Sequence, residues 1–223
     1  MISPIGHAWT DMAHPLLSRM LYSKIVLVLS IVSLVWTVAI FLAPATLPSG
    51  EVADLDGLAN HVDYEALWAE LPLPHAIVYY IGDVECHQIS NRSFYVAGNQ
   101  MPVCSRDTGI FLFATIGLFI AMVARPASSV SRMLIRMLPG RARSLVEGRI
   151  PEFWFLVITL AVFLIPLALD GGLQLFTGYE STNAARLLTG SLAGWLGGFV
   201  FGALLISTKV VTSSGQSPAV ANG

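Results

Sequence analysis

Charge is what this sequence has least of. Only 12% of its 223 residues are charged, against 55% hydrophobic, and its mean hydropathy is +0.69. A soluble domain carries about a quarter charged residues. Half that share cannot cover a water-facing surface, so the composition excludes an ordinary soluble domain and points to a chain embedded in a bilayer. Cysteine is scarce as well. Cys86 and Cys104 alone exclude a disulfide framework, and with no Cys-x-x-Cys pair there is no ready dithiol redox centre. A cleavable signal is not expected, because the first apolar run, from Ile25, is long enough to span and lacks a small-residue cleavage site. Inverted repeats are missing, and the first two spans carry almost no polar residue at mid-depth, which argues against a transporter or channel.

What the sequence does have is four long apolar runs, and a bilayer core needs about 20 such residues. They predict an all-α membrane protein, a four-transmembrane-helix antiparallel bundle, with spans at about 25–43, 109–124, 152–169 and 187–207. Pro44 closes the first span, Pro151 opens the third where a missing N–H costs least, and Pro166 is expected to kink its far end. Lys and Arg set the orientation. Arg19 and Lys24 lie in the N-terminal segment (1–24). Arg125, Arg132, Arg136, Arg141, Arg143 and Arg149 crowd the loop 125–151, and Lys209 begins the tail. The loop 44–108 holds only Arg92 and Arg106 against nine acidic residues, and the loop 170–186 holds Arg186 alone. Both termini are therefore expected in the cytoplasm of a cell-membrane protein, with loops 44–108 and 170–186 outside. The Arg-rich loop suits anionic lipid, and no nucleic-acid partner is expected.

The first outer loop is expected to contain short helices. Glu51–Glu70 is acidic, with Leu55, Leu58 and Val62 at helical spacing. Leu71–Gly82 is apolar but too short to span, which suggests an interfacial or re-entrant helix begun by Pro74, with Tyr79 and Tyr80 suited to an interface. The segment 212–223, rich in Ser, Gly, Pro and Ala, reads as a disordered tail.

Two polar blocks stand out. In the first, Cys86, His87, Gln88, Arg92, Gln100, Cys104, Arg106 and Asp107 lead into the second span. Cys86, His87, Cys104 and Asp107 offer thiolate, imidazole and carboxylate, donors that zinc accepts. A Cys86–Cys104 disulfide and a pair of free thiols are the alternatives. In the second block, Asp170 and Gln174 share a helical face, followed by Glu180, Asn183, Arg186 and Thr189. Acids and an Arg at a membrane border are functional suspects, and an Asp170–Arg186 or Glu180–Arg186 pair stapling the hairpin is the structural alternative. Arg92, Arg106 and Arg186 supply donors for phosphate or carboxylate. Both blocks flank the outer ends of spans two, three and four. They are therefore expected to meet as an outward-facing polar site for a metal, a lipid head group or a small anion. Whether it performs catalysis the residues leave open. Gly190, Gly194, Gly198 and Gly202 form a ridge for close helix packing, within the bundle or onto a second copy or membrane partner. The competing reading is a non-catalytic membrane subunit or scaffold with a disulfide-pinned outer loop.

The run Cys86-His87-Gln88, Arg92-Ser93-Phe94, Gln100, Pro102-Val103-Cys104-x-Arg106-x-Thr108-Gly109 resembles a prokaryotic membrane family known as domain of unknown function 2085, over about Leu71 to Leu205. The resemblance implies a multi-span membrane protein with no established activity. The family pattern often has Cys-x-x-Cys in the second half of this run, where Asp107 stands here. Asp170-x-x-x-Gln174 with Asn183 and Gly190 is more faintly similar to VanZ-like membrane proteins, which are associated with glycopeptide resistance and the cell envelope.

Overall fold

In a computed structural model of the protein, residue 17 and residues 19–215 are described. The expected N-terminal segment up to residue 16, and residues 216–223 of the expected disordered tail, lie outside the described residues. The fold is all-α apart from one small hairpin. Among the described residues, four helices are long and apolar enough to cross a membrane: α1 (Lys24–Thr46), α4 (Ser105–Val123), α7 (Glu152–Phe176) and α8 (Asn183–Gly215). At 1.5 Å per residue even the shortest, with 19 residues, is about 28 Å long, close to the thickness of a bilayer core. Shorter elements fill the connections: α2 (Glu65–Glu70), α3 (Leu73–Glu85), β1 (Ser93–Val96), β2 (Asn99–Cys104), α5 (Val130–Met137) and α6 (Gly140–Val146).

The helices overrun the expected spans. α4 starts at Ser105, directly on the end of β2. α7 carries through Pro166 and past Asp170 to Phe176, and α1 carries through Pro44. α8 runs into the segment expected to be disordered. The first two spans are also less apolar than expected. Thr115 Oγ1 on α4 lies 2.7 Å from Ser33 Oγ and 2.8 Å from Thr37 Oγ1 on α1.

The chain divides into two compact units, one made of Val32–Thr115 with Val162–Trp195 and the other of the remaining segments. In the second of these, Glu152 anchors the Arg-rich connection. Its carboxylate receives Arg132 Nε at 2.5 Å and Ser129 Oγ at 2.8 Å, and Ser129 also caps α5. Gly202 packs there, where an added Cβ would stand 2.8 Å from Ala121.

The unit that carries both polar blocks is built around the segment 51–104. The acidic stretch 51–64 is not the helix that its spacing suggests. Asp54 and Asn60 take left-handed φ of 54° and 62°, and the backbone instead bonds across to the last turn of α3 and the segment after it: Gly57 N–H to His87 O at 2.9 Å, Asn60 N–H to Val84 O at 2.9 Å, Ser90 N–H to Leu55 O at 2.8 Å. Leu55 is buried while Leu58 is exposed. α3 replaces the expected 71–82 helix. Pro74 sits in its first turn, and Leu73, Ile77, Tyr80, Ile81 and Val84 form one exposed apolar stripe. Tyr79 is not interfacial. It is fully buried, stacks on Trp68 at 5.1 Å and donates to Gln100 O at 2.6 Å. The hairpin turns on Ala97 and Gly98, both at positive φ, as a two-residue turn of this hand requires.

Gly190 and Gly194 let α8 approach α4 closely. An added Cβ would stand 2.2 Å from Arg106 O and 2.3 Å from Ile110 O respectively. This part of the glycine ridge is therefore taken up within the chain, not offered to a partner.

Candidate functional site

Three connections bring the blocks together. β2 ends at Cys104 and passes straight into α4, so Asp107 falls in the first helical turn. Thr108 Oγ1 secures that turn on Cys104 O at 3.0 Å. Ser105 Oγ donates to Arg92 O and to Asn183 Oδ1, both at 3.0 Å, while Asn183 Nδ2 reaches Ser93 O at 3.4 Å. Asn183, expected at the site, is thus the pin that holds the start of α8 to the hairpin.

Gln88 and Gln100 are likewise structural. Both are fully buried. Gln88, at a positive φ of 50°, donates to Pro102 O at 2.8 Å. Gln100 donates to Gln88 O at 2.5 Å and accepts from Leu55 N–H at 3.0 Å. They fix the loop that carries Cys86, and neither lines the cavity beside it.

That cavity has a volume of about 440 Å³ and two kinds of wall. One wall is soft and acidic. The ligand atoms of Cys86, Cys104 and Asp107 all lie within 4.8 Å of one another. Cys104 Sγ donates to Asp107 Oδ2 at 3.2 Å, and the Cys104 N–H donates to Cys86 Sγ at 3.2 Å. Of the three alternatives for the pair, this structure has both cysteines free. The thiols share a hydrogen bond that pushes Cys86 up, burial adding to it, and that same bond lowers Cys104. Glu85, which sequence reasoning missed, also lines the cavity; burial, and then the Asp107 charge, hold its carboxyl above the usual range. His87 is on the lining but its ring is not in the cluster. Cys86 is extended (φ −136°, ψ 149°), and neighbouring side chains of extended backbone point to opposite sides.

The other wall is cationic: Arg92, Arg106 and Arg186, with Gln174. The pairing differs from the hairpin staple. Asp170, 8% exposed, receives Arg106 Nη2 at 2.5 Å and Tyr179 Oη at 3.3 Å. Arg106 Nη2 also reaches Gln174 Oε1 at 3.5 Å, and Glu180 is 3.5 Å from Arg92 Nη2. Neither acid makes a hydrogen bond or ion pair with Arg186. Arg186 is only 2% exposed, and its Nε and Nη2 have no hydrogen-bond partner among the described residues; Nε of Arg92 and of Arg106 lack one there too. A buried guanidinium nitrogen left unbonded is costly.

Four membrane-length helices, with a polar cavity among residues at one end of α4, α7 and α8, define a polytopic membrane protein. The chain belongs to the family of predicted membrane proteins DUF2085, whose profile matches residues 86–202 and so begins at Cys86 and takes in both polar blocks. An uncharacterized protein of Methanocaldococcus jannaschii is 30% identical over 172 residues, 77% of this chain and 86% of that one. Another, of Methanothermobacter thermautotrophicus, is 29% identical over 109 residues, 49% of this chain and 77% of that one. No solved structure matches the chain. The fainter VanZ likeness has no counterpart among these relatives.

Proposed function

We propose that the cavity is an outward-facing binding site for a small anionic group, phosphate or carboxylate, in a cell-membrane protein whose termini are both cytoplasmic. The Lys and Arg distribution supports the orientation. The observation that carries the binding reading is Arg186: a buried guanidinium on a cavity wall, with two unbonded nitrogens and two further arginines beside it. Planar donor forks of this kind match carboxylate and phosphate oxygens. The test is the melting temperature of the detergent-purified protein against inorganic phosphate at fixed ionic strength. A saturable upward shift is expected for the wild type, and none for Arg186→Gln. A wild type indifferent to phosphate and to acetate, or an Arg186→Gln variant that responds like it, would overturn the reading.

A second reading is favoured by the opposite wall. Cys86, Cys104 and Asp107 form a donor set suited to zinc, with the cavity side open for a fourth ligand. The expected result is about one zinc per chain after loading and dialysis, lost in Cys86→Ser and in Cys104→Ser, as measured by elemental analysis. Equal zinc in the wild type and both variants would exclude it.

A further inference from the structure

The soft wall and the cationic wall line one cavity and share its space. They also adjoin along the chain. Asp107 of the soft wall follows Arg106 of the cationic wall in the first turn of α4, and Cys104 ends the strand that leads into that turn. Ser105, between Cys104 and Arg106, bonds to Arg92 O and to Asn183 at the start of α8, the helix that carries Arg186. The start of α4 therefore fixes the spacing of the two walls. Arg186 lies near enough to Cys104 for that group's charge to act on its guanidinium. The cavity measures about 440 Å³. With about 30 Å³ for each water in the liquid, it has room for on the order of a dozen waters. An ion and a phosphate-sized group fit in it together.

Each wall is incomplete in the way that the other makes good. Among the described residues the soft wall gathers three donors, Cys86, Cys104 and Asp107. Zinc takes four ligands, and three protein donors leave the fourth position to water or a bound molecule. Loading leaves the net charge of this wall unchanged, because zinc brings two positive charges and the two thiols release two protons to solvent in binding it. The metal therefore adds little attraction at a distance. What it adds is one coordination position open on the cavity. The cationic wall offers only donors: Nε and Nη2 of Arg186, and Nε of Arg92 and of Arg106. An anion held there alone turns its remaining oxygens toward the acidic Asp107. We infer that zinc and the anion bind as a pair, one oxygen of the anion taking the fourth zinc position while its other oxygens bond to Arg186 and the arginines beside it. This rests on both readings above and joins them into one site. It also narrows the ligand to an oxyanion that ligates zinc well and presents oxygens on two sides, a phosphate monoester or a carboxylate. Sulfate has the shape of phosphate but is a poor zinc ligand, and it gains little from the metal.

The full-length protein in detergent carries the test, stripped of metal and then loaded with Co²⁺, which accepts the same tetrahedral thiolate sites as zinc and has visible bands that change with the fourth ligand. Inorganic phosphate is the probe, and sulfate at equal ionic strength is the control. The expected result is a saturable change of the cobalt bands with phosphate and none with sulfate. Melting curves of the metal-free and cobalt-loaded wild type are expected to half-saturate at phosphate concentrations about tenfold apart, the loaded protein binding more tightly, and phosphate is expected to tighten cobalt by the same factor. Arg186→Gln is expected to keep the thiolate–cobalt bands and to need about tenfold more phosphate to change them. The wild-type comparison with and without metal decides the question even where a variant folds poorly. If phosphate binds both forms equally, or binds without changing the bands, the two ligands do not meet, and this inference fails while both single readings stand. Sulfate that acts like phosphate, or an Arg186→Gln protein whose bands respond at the wild-type concentration, overturns the pair as well. If the wild type shows no thiolate–cobalt bands, the zinc reading fails and takes the pair with it, while the phosphate shift of the metal-free protein still decides the anion reading. If phosphate changes neither the melting temperature nor the bands, the anion reading is the one that fails, and the pair goes with it.

Discussion

Replacing Arg186 by methionine is expected to raise the melting temperature of the ligand-free protein and to abolish its response to phosphate. The two effects have one cause. Arg186 is almost fully buried, and two of its nitrogens make no hydrogen bond among the described residues. Each buried unsatisfied donor costs roughly 1–3 kcal/mol, and the charge adds a desolvation cost of its own. Methionine is unbranched, apolar and adaptable, and it fills much of the same volume. The apo protein should gain about 1–3 kcal/mol, while phosphate loses its buried fork. Thermal unfolding in detergent at low salt, with and without phosphate, reads both changes. A variant that melts below the wild type would show that Arg186 supports the fold through contacts other than hydrogen bonds. The site reading would then lose its main support, since the case for a ligand is that the residue is held at a cost the ligand relieves.

How much of this was legible in the sequence depends on the range of the interaction. The four membrane-length helices follow from local apolar runs, and the runs were read correctly. Their ends were not, because each end is set by a tertiary partner. α4 begins at Ser105 because β2 feeds into it and Ser105 bonds to Arg92 and Asn183. α7 continues past Asp170 because Arg106, 64 positions away, receives that carboxylate. The residues around the cavity could be gathered from sequence, since both blocks flank the same helix ends. Their pairing could not. Asp170 and Glu180 lie close to Arg186 in the chain, which suggested a staple between neighbours. The fold gives Asp170 to Arg106 and Glu180 to Arg92 and leaves Arg186 to the cavity. Gln88 and Gln100 are a different failure. A polar residue beside a candidate ligand looks functional in sequence, and only the bonds they make to backbone carbonyls and to Leu55 N–H show that they hold the loop. The hairpin itself has a local signal, the Ala97-Gly98 pair ahead of an extended run.

The second large effect is expected at the Arg106–Asp170 pair. Asp170→Asn should destabilise the protein by about 3–5 kcal/mol, the cost of leaving one member of a buried pair without its counter-charge. Asp170 is 8% exposed, and its two oxygens meet Arg106 at 2.5 Å and Tyr179 at 3.3 Å. Removing the negative charge leaves Arg106 with Arg92 and Arg186 on one cavity wall and no carboxylate bonded to it. The double variant Asp170→Asn with Arg106→Gln should recover most of the loss, because the stranded charge goes with its partner. The cycle measures the coupling directly, and thermal unfolding of the four proteins is sufficient. Phosphate separates this from a purely structural role. Asp170 competes with an incoming anion for Arg106, so Asp170→Asn should show a larger phosphate shift than the wild type, and the added anion should restore part of the lost stability. A double variant no more stable than Asp170→Asn would mean that Asp170 acts through Tyr179 and the end of α7 alone. An Asp170→Asn protein that phosphate does not rescue would place Arg106 outside the anion site and leave Arg186 and Arg92 to form it.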